Sequence, residues 1–320
     1  MKILGTGSAL PKKTVSNDML SEFLDTSDEW ITTRTGIKSR QIITDERFED
    51  LAALAGERAI QAAGLSADDI DYIVCSNVAN CYITPSLASL VQGLLGIKGP
   101  SCPTMDINSA CAGFVYGLDL CDALLQTSRA SHILYVCAEE VTRFVDWNQR
   151  ETCVLFGDGA GAMVLGKGDN LLSCKLTSVP MADVITYRLP LEPTPYETGE
   201  GIDTHLPMQL KGREVFRNAV NCAQRDIADV IAKAGLTADD IDHFLLHQAN
   251  LRIVEAIREH MGLPEERFHS NIQRRGNTSS ASIPILLDEV VREGKIKRGD
   301  LLLFDGFGAG FVTGAAVVRY

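Results

Sequence analysis

Apolar runs of strand length alternate with amphipathic stretches of helix length along most of the chain. Strands are expected near residues 71–75, 103–107, 132–138, 160–166, 243–246, 300–305 and 311–318. Helices are expected near 50–63, 111–127, 211–234, 250–261 and 278–292. The alternation predicts an α/β layered fold, because a strand face and a helix stripe must each bury their apolar side against another element.

The pattern is also written twice. Residues 63–75 read Ala-Gly-Leu-Ser-Ala-Asp-Asp-Ile-Asp-Tyr-Ile-Val-Cys, and residues 234–246 read Ala-Gly-Leu-Thr-Ala-Asp-Asp-Ile-Asp-His-Phe-Leu-Leu, an offset of 171. Each copy passes from a helix through a Gly-Leu stop and an Asp-Asp turn into a strand. An offset near half the chain length points to two duplicated halves, residues 1–170 and 171–320, rather than a short-repeat solenoid. Gly157-Asp-Gly-Ala-Gly161 and Gly306-Phe-Gly-Ala-Gly310 look like equivalent turns of those halves. Neither is followed by Lys-Ser, Lys-Thr or a helix, so neither is expected to cradle phosphate. Residues 188–210 carry Pro190, Pro193, Pro195 and Pro207 with no clear periodicity. A loop that long is usually functional, and it is expected to wall a substrate pocket.

Composition narrows the picture mainly by exclusion. At 320 residues, 45% hydrophobic and 22% charged, the chain can bury a large core as one domain or two intimate halves. Nine cysteines with no Cys-x-x-Cys pair suggest reduced thiols rather than a disulfide framework or a zinc site, so no metal is expected. The net charge of −12 argues against nucleic acid as a partner. Met1-Lys-Ile-Leu-Gly-Thr-Gly7 is too short an apolar run for a signal peptide, and no stretch reaches the roughly 18 apolar residues of a membrane span. A cytoplasmic protein without a membrane partner is expected.

Three residues carry candidate chemistry. Cys111 follows a short apolar strand, lies among Ser109, Ala110, Ala112 and Gly113, and stands where an amphipathic stretch begins. A helix N-terminus favours the thiolate by about one pKa unit, and the small neighbours leave room for a substrate. The plainer reading is a buried core thiol. His247 stands at the end of the 243–246 strand, the kind of place where α/β folds bind ligands, although a satisfied structural histidine fits the same position. Asn277, in Gly276-Asn-Thr-Ser-Ser-Ala-Ser282, reads as an N-cap or as an amide donor that never competes for a proton. A thiol, an imidazole and an amide donor together suit acyl transfer.

Five motifs occur in order along the chain: Asp28-Glu-Trp-Ile-Thr-Thr-Arg-Thr-Gly36, Ser109-Ala-Cys-Ala-Gly-Phe114, Phe156-Gly-Asp-Gly-Ala-Gly161, His247-Gln-Ala-Asn-Leu-Arg252 and Gly276-Asn-Thr-Ser279. Together they resemble β-ketoacyl-acyl-carrier-protein synthase III, a thiolase-fold condensing enzyme, from end to end of the chain. The resemblance implies a homodimer of five-layered αβαβα subunits built from two pseudo-symmetric halves. It implies that Cys111 takes an acyl group from acyl-coenzyme A, and that malonyl-acyl-carrier protein then decarboxylates and condenses with it. His247 and Asn277 would donate to the enolate, and the backbone N–H groups of Cys111 and Ala309 would hold the acyl oxyanion. The family usually has Gly-Gly-Gly-Phe where this chain has Gly308-Ala309-Gly310-Phe311. An alanine serves there only if the turn does not require a positive φ at that position.

The same resemblance assigns coenzyme A contacts to Trp30, Arg34, Arg150, Gly212 and Asn250, with Arg213 and Phe216 beside them. The plainer reading of the first pair is a helix capped by Thr26-Ser-Asp-Glu29. Arg217 and Arg252 match docking positions for the acidic carrier protein, while Glu259 and His260 stand where some relatives carry lysines. Thr84 matches the position where the dimer partner closes the acyl pocket; being smaller than phenylalanine, it leaves room for primers larger than acetyl. No cofactor is implied, because the coenzyme A thioester is a substrate. A degradative thiolase would need a second reactive cysteine near the C-terminus, yet no cysteine follows Cys222. Elongating relatives use two histidines where this chain has His247 and Asn277. The nearest rival is a polyketide or secondary-metabolite acyltransferase with the same three residues.

Overall fold

The structure is a computed structural model that describes residues 1–98, 102–188, 195–196 and 208–320. The first half supplies β1 (Lys2–Ala9), β2 (Lys13–Ser16), α1 (Asn17–Ser21), α2 (Asp28–Thr35), β3 (Ser39–Ile42), α3 (Phe48–Ala62) and β4 (Tyr72–Ser76). It continues through α4 (Leu87–Leu94), β5 (Thr104–Ile107), α5 (Gly113–Gln126), β6 (His132–Glu139), α6 (Arg150–Cys153) and β7 (Gly159–Gly166). The second half supplies β8 (Leu171–Met181), β9 (Ile185–Thr186), β10 (Gln209–Leu210), α7 (Gly212–Lys233) and β11 (His243–Leu246). It ends with α8 (Leu251–Met261), α9 (Ile272–Arg275), α10 (Ser282–Arg292), β12 (Leu301–Gly308) and β13 (Gly310–Arg319).

Two mixed sheets dominate. One runs β1-β7-β6-β4-β5 and the other β8-β13-β12-β11, with antiparallel and parallel pairings in the same sequence across both. The duplicated segments lead into β4 and β11, which hold the same place in their sheets. Where β5 completes the first sheet, the second has only a parallel bridge from Phe244 to Phe268.

Period-two burial sets the layers. Ile133, Tyr135 and Cys137 of β6 face inward with Leu302 and Phe304 of β12, and α5 and α10 fill the space between the two sheets. Leu134 and Val136 face the other way onto α3 and α4, while Leu303 and Val317 pack on α7 and α8. The result is five layers, α-β-α-β-α, as the resemblance implied. Among the described residues no helix is long and apolar enough to cross a membrane.

Several expectations change. The helix after Cys111 begins at Gly113, not at the cysteine, and the one after Asn277 begins at Ser282, behind a short 3₁₀ turn at Ser279–Ala281. The cap of α2 is Ser27, whose side chain accepts from the Trp30 N–H, and not Thr26, whose hydroxyl is buried without a partner. The two glycine motifs do lead into corresponding strands, β7 and β13, but they are not equivalent turns. Residues 140–158 separate β6 from β7, whereas Ala309 alone separates β12 from β13. Residues 189–194 and 197–207, most of the proline-bearing stretch expected to wall a pocket, lie outside the described residues.

Candidate active site

The inner helices and the facing strand ends bring the three candidates to one cavity of about 1640 Å³, lined by Cys111, His247 and Asn277 among others. Its inner end is made of buried residues, including His247, Asn277, Ser279 and Phe307. Its rim is exposed at Arg34, Arg213 and Arg252.

Cys111 follows a sharp turn in which Ala110 adopts φ 48° and its N–H bonds to Asn108 Oδ1 at 3.1 Å. A non-glycine residue in the left-handed region costs roughly 1–2 kcal/mol, so surrounding contacts must hold this turn. They do so at close range. A Cβ on Gly308 would stand 2.6 Å from the Cys111 nitrogen, so only glycine lets β12 approach the nucleophile. Burial pushes the Cys111 thiol up to about 12, the reverse of the shift expected from a helix N-terminus. Desolvation wins because the helix starts two residues later, and because the Ser279 hydroxyl 3.4 Å from Sγ opposes the rise only in part.

His247 ends β11, its N–H held by the Asp305 carbonyl at 2.8 Å and its ring edge-on to Phe307. Burial pushes the imidazole down to about 3, so it is neutral at physiological pH. Its Nδ1 lies 2.7 Å from Ser282 Oγ, which also accepts the Gln248 N–H at 3.3 Å. The Ser282 hydroxyl can donate to Nδ1, and in that tautomer the ring proton sits on Nε2, which becomes a donor. Asn277 is fixed in the same manner. Its Oδ1 accepts the Ser279 N–H at 2.8 Å, and its backbone bonds to Leu155 and Gly157 on either side, which leaves the amide NH₂ as the free end. Asn277 is not the N-cap that the sequence also allowed: the 3₁₀ turn begins behind Thr278 and α10 behind Ala281, and the bond from the Ser279 N–H to Oδ1 is an Asx-type turn.

Ala309 lines the cavity in the β12–β13 turn, and the positive φ of that turn, 131°, falls on Gly310. The alanine therefore keeps a backbone that any residue adopts. Trp30, Arg34, Gly212 and Asn250 line the cavity, as do Arg213 and Phe216. The guanidinium carbons of Arg34 and Arg150 stand 4.5 and 4.8 Å from the Trp30 ring centroid, although Arg150 does not itself line the cavity. Asn250 caps α8, with Oδ1 on the Arg252 N–H and Nδ2 on the Arg34 carbonyl, each at 3.0 Å. A Cβ on Gly212 would meet only Leu210, at 3.7 Å, so the missing side chain is open space.

Arg252 lines the rim over the Phe216 ring, at 5.8 Å, while Arg217 is exposed on α7 away from the cavity. Glu259 and His260 are exposed at the far end of α8. Thr84 is exposed and does not line the cavity of its own chain.

Two groups escaped sequence reasoning. Ser279 touches Cys111, and Glu139, at the end of β6, is fully buried beneath it. The signal for Glu139 was a carboxylate closing an apolar strand, which a solvent-exposed strand end would produce equally well. Among the described residues no cluster of three or more His, Cys, Asp or Glu could hold a metal.

A family model for 3-oxoacyl-[acyl-carrier-protein] synthase III matches residues 105–180, and the one for its C-terminal part matches residues 231–320. The chain is 45% identical to the β-ketoacyl-[acyl-carrier-protein] synthase III of Xanthomonas axonopodis pv. citri, with 100% of this chain and 98% of that protein covered. The crystal structure of the synthase III from Aquifex aeolicus superposes with TM-score 0.92 at 39% identity, covering 100% of this chain and 99% of that one. The priming β-ketosynthase of the R1128 polyketide pathway superposes with TM-score 0.91 at 32% identity, covering 99% and 95%.

Proposed function

The chain belongs to the β-ketoacyl-acyl-carrier-protein synthase III family, an acyl-transferring condensing enzyme of fatty acid biosynthesis, and from that premise we propose which residues perform the initiating condensation. Cys111 attacks the thioester carbon of an acyl-coenzyme A and keeps the acyl group as coenzyme A leaves. Malonyl-acyl-carrier protein then loses CO₂, and the electrons of the broken C–C bond collect on its thioester oxygen. Nε2–H of His247 and the NH₂ of Asn277 donate to that oxygen, each worth roughly 3–4 kcal/mol. The carbanion attacks the acyl-cysteine, giving β-ketoacyl-carrier protein and the free thiol. The acyl oxyanion is held by the N–H groups of Cys111 and Ala309.

One observation carries this reading: on the cavity that holds Cys111, a serine engages Nδ1 of His247 and Oδ1 of Asn277, with Nε2–H and the amide NH₂ taken as the donors left over. Trp30, flanked by two guanidiniums, suits the adenine of coenzyme A, and Gly212 and Asn250 border the path of its pantetheine arm. Arg217 and Arg252 supply the local positive charge that an acidic carrier protein needs against a net charge of −12. Ile83, 88% exposed beside Thr84, is a suitable anchor for a second copy in a homodimer, and the partner would complete the acyl pocket there. The chain divides near residue 170 into the two halves that carry Cys111 on one side and His247 with Asn277 on the other. A cytoplasmic enzyme without a cofactor fits this reading.

His247→Ala and Asn277→Ala are expected to acylate Cys111 and yet to release CO₂ from malonyl-carrier protein about 10²–10³-fold more slowly. Wild-type CO₂ release by both variants would refute the assignment. The R1128 priming ketosynthase keeps a polyketide role as the second reading, and the discharge product of the acyl-enzyme separates the two.

A further inference from the structure

Glu139 is fully buried, and every group that holds it is a neutral donor. Its Oε2 accepts the N–H groups of Val78 and Ala79 at 3.0 and 2.9 Å. Its Oε1 accepts the Ser280 hydroxyl at 2.6 Å, the Ser280 N–H at 3.4 Å and the Ser279 hydroxyl at 3.1 Å. The same Ser279 oxygen lies 3.4 Å from Cys111 Sγ, on a residue held at φ 50°. A hydroxyl has one proton. That proton reaches either Sγ or Oε1; an ionised carboxylate can only accept, and when the proton is on the Glu139 side the serine lone pairs face the thiol.

We propose that Ser279 and Glu139 form a proton relay for the acylation of Cys111. As Sγ bonds to the acyl carbon, its proton passes to Ser279 Oγ, and the Ser279 hydroxyl proton passes to Glu139 Oε1. The carbon–sulfur bond to coenzyme A breaks, and the relay run in reverse protonates the departing thiolate. The inference rests on the reading of Cys111 as the acyl carrier. Ser279 touches the reacting sulfur; Glu139 acts through it.

His247 is poorly suited to this task, because burial holds it near 3 while the thiol stands near 12. Burial instead pushes Glu139 up to about 7, against the pull of its serine and backbone donors, so it can take and return a proton near neutrality. The titratable groups facing it are the thiols of Cys111, on the turn before α5, and of Cys137, on its own strand; both are pushed well above neutrality.

Rapid-quench mass spectrometry of wild type, Ser279→Ala and Glu139→Gln, with acetyl-, isobutyryl- and octanoyl-coenzyme A as donors, tests the relay. Ser279→Ala is expected to acylate about 10²-fold more slowly at pH 7 and to slow discharge by malonyl-carrier protein far less. The wild-type acylation rate is expected to rise with pH through about 7, and Glu139→Gln to lose that inflection. Wild-type acylation by Ser279→Ala, equal slowing of both half-reactions, or an inflection retained in Glu139→Gln would overturn the relay while the wild-type adduct stands. If Glu139→Gln does not fold, Ser279→Ala decides alone. No adduct on wild type would overturn the acyl-enzyme reading and the relay with it.

Discussion

Ser282 engages Nδ1 of His247 and the Ser279 N–H engages Oδ1 of Asn277, while the Ser279 hydroxyl touches the single sulfur of Cys111. Asn277→Asp keeps an oxygen for the Ser279 N–H but replaces the NH₂ with an acceptor. It is expected to lose CO₂ release by about 10²–10³-fold while still accepting the acyl group, a split that separate assays of the two half-reactions would detect. Buried titratable groups also shape stability. His247, held near 3, remains neutral in the native state while the unfolded chain protonates below its ordinary value. The stability it supplies is complete above about pH 6.5 and is lost as pH falls toward 3. Glu139 works in the opposite direction. Its folded value of about 7 lies above the ordinary 4.5, so its contribution is complete below 4.5 and is lost as pH rises through 7, by about 3 kcal/mol. Melting temperatures of wild type and Glu139→Gln across pH 4.5–8 should converge or cross as that component disappears from the variant; parallel curves would contradict it. The three chemical side chains were legible because their motifs are specific. The serines were not, since a hydroxyl in a polar turn looks the same whether it faces solvent or a thiol.

The β12–β13 turn shows how an element sets the geometry of the site. Gly308→Ala would drive a Cβ into the Cys111 nitrogen, and acylation is expected to fall more than tenfold with the circular dichroism spectrum retained, given the roughly 1–3 kcal/mol that overpacking costs. Ala309→Gly restores the usual family sequence at a position that has no positive φ. Its acylation rate should stay near wild type, while stability drops by about 0.4–1 kcal/mol through the freer unfolded chain. A large gain in rate would show that the alanine strains the oxyanion site. Among the elements, β4, β5, β6, β7, β11, β12 and β13 were readable from sequence, as were α3, α5, α7, α8 and α10. The missed ones have local reasons. In β1, Gly5 and Gly7 read as breakers, yet they let the α3 backbone pass too close for any Cβ. In β8, polar residues and Pro180 blur the alternation, and α4 is only eight residues long.

At the scale of the whole molecule, the duplication predicts two sheets of matching strand order, and packing them through α5 and α10 brings Cys111 from one half toward His247 and Asn277 of the other. The repeat announced the symmetry, but it could not announce Glu139 and Ser279, whose meeting depends on residues 140 apart along the chain. The proposed docking of the carrier protein rests on exposed arginines at and beside the rim. Arg217→Glu, exposed and outside the cavity lining, is expected to raise the KM for malonyl-carrier protein several-fold and leave the KM for acyl-coenzyme A unchanged, with the difference shrinking as salt screens it. An equal rise in both would place Arg217 in coenzyme A binding instead. In the proposed reaction Cys111 holds the primer acyl group between two half-reactions. Intact-protein mass spectrometry with a panel of acyl-coenzyme A thioesters, peptide mapping and a Cys111→Ala control measures it directly. One acyl mass is expected on Cys111 of the wild type and none on the variant, with discharge by malonyl-carrier protein as β-ketoacyl-carrier protein. An acyl mass that persists in Cys111→Ala, or one that malonyl-carrier protein cannot discharge, would contradict it.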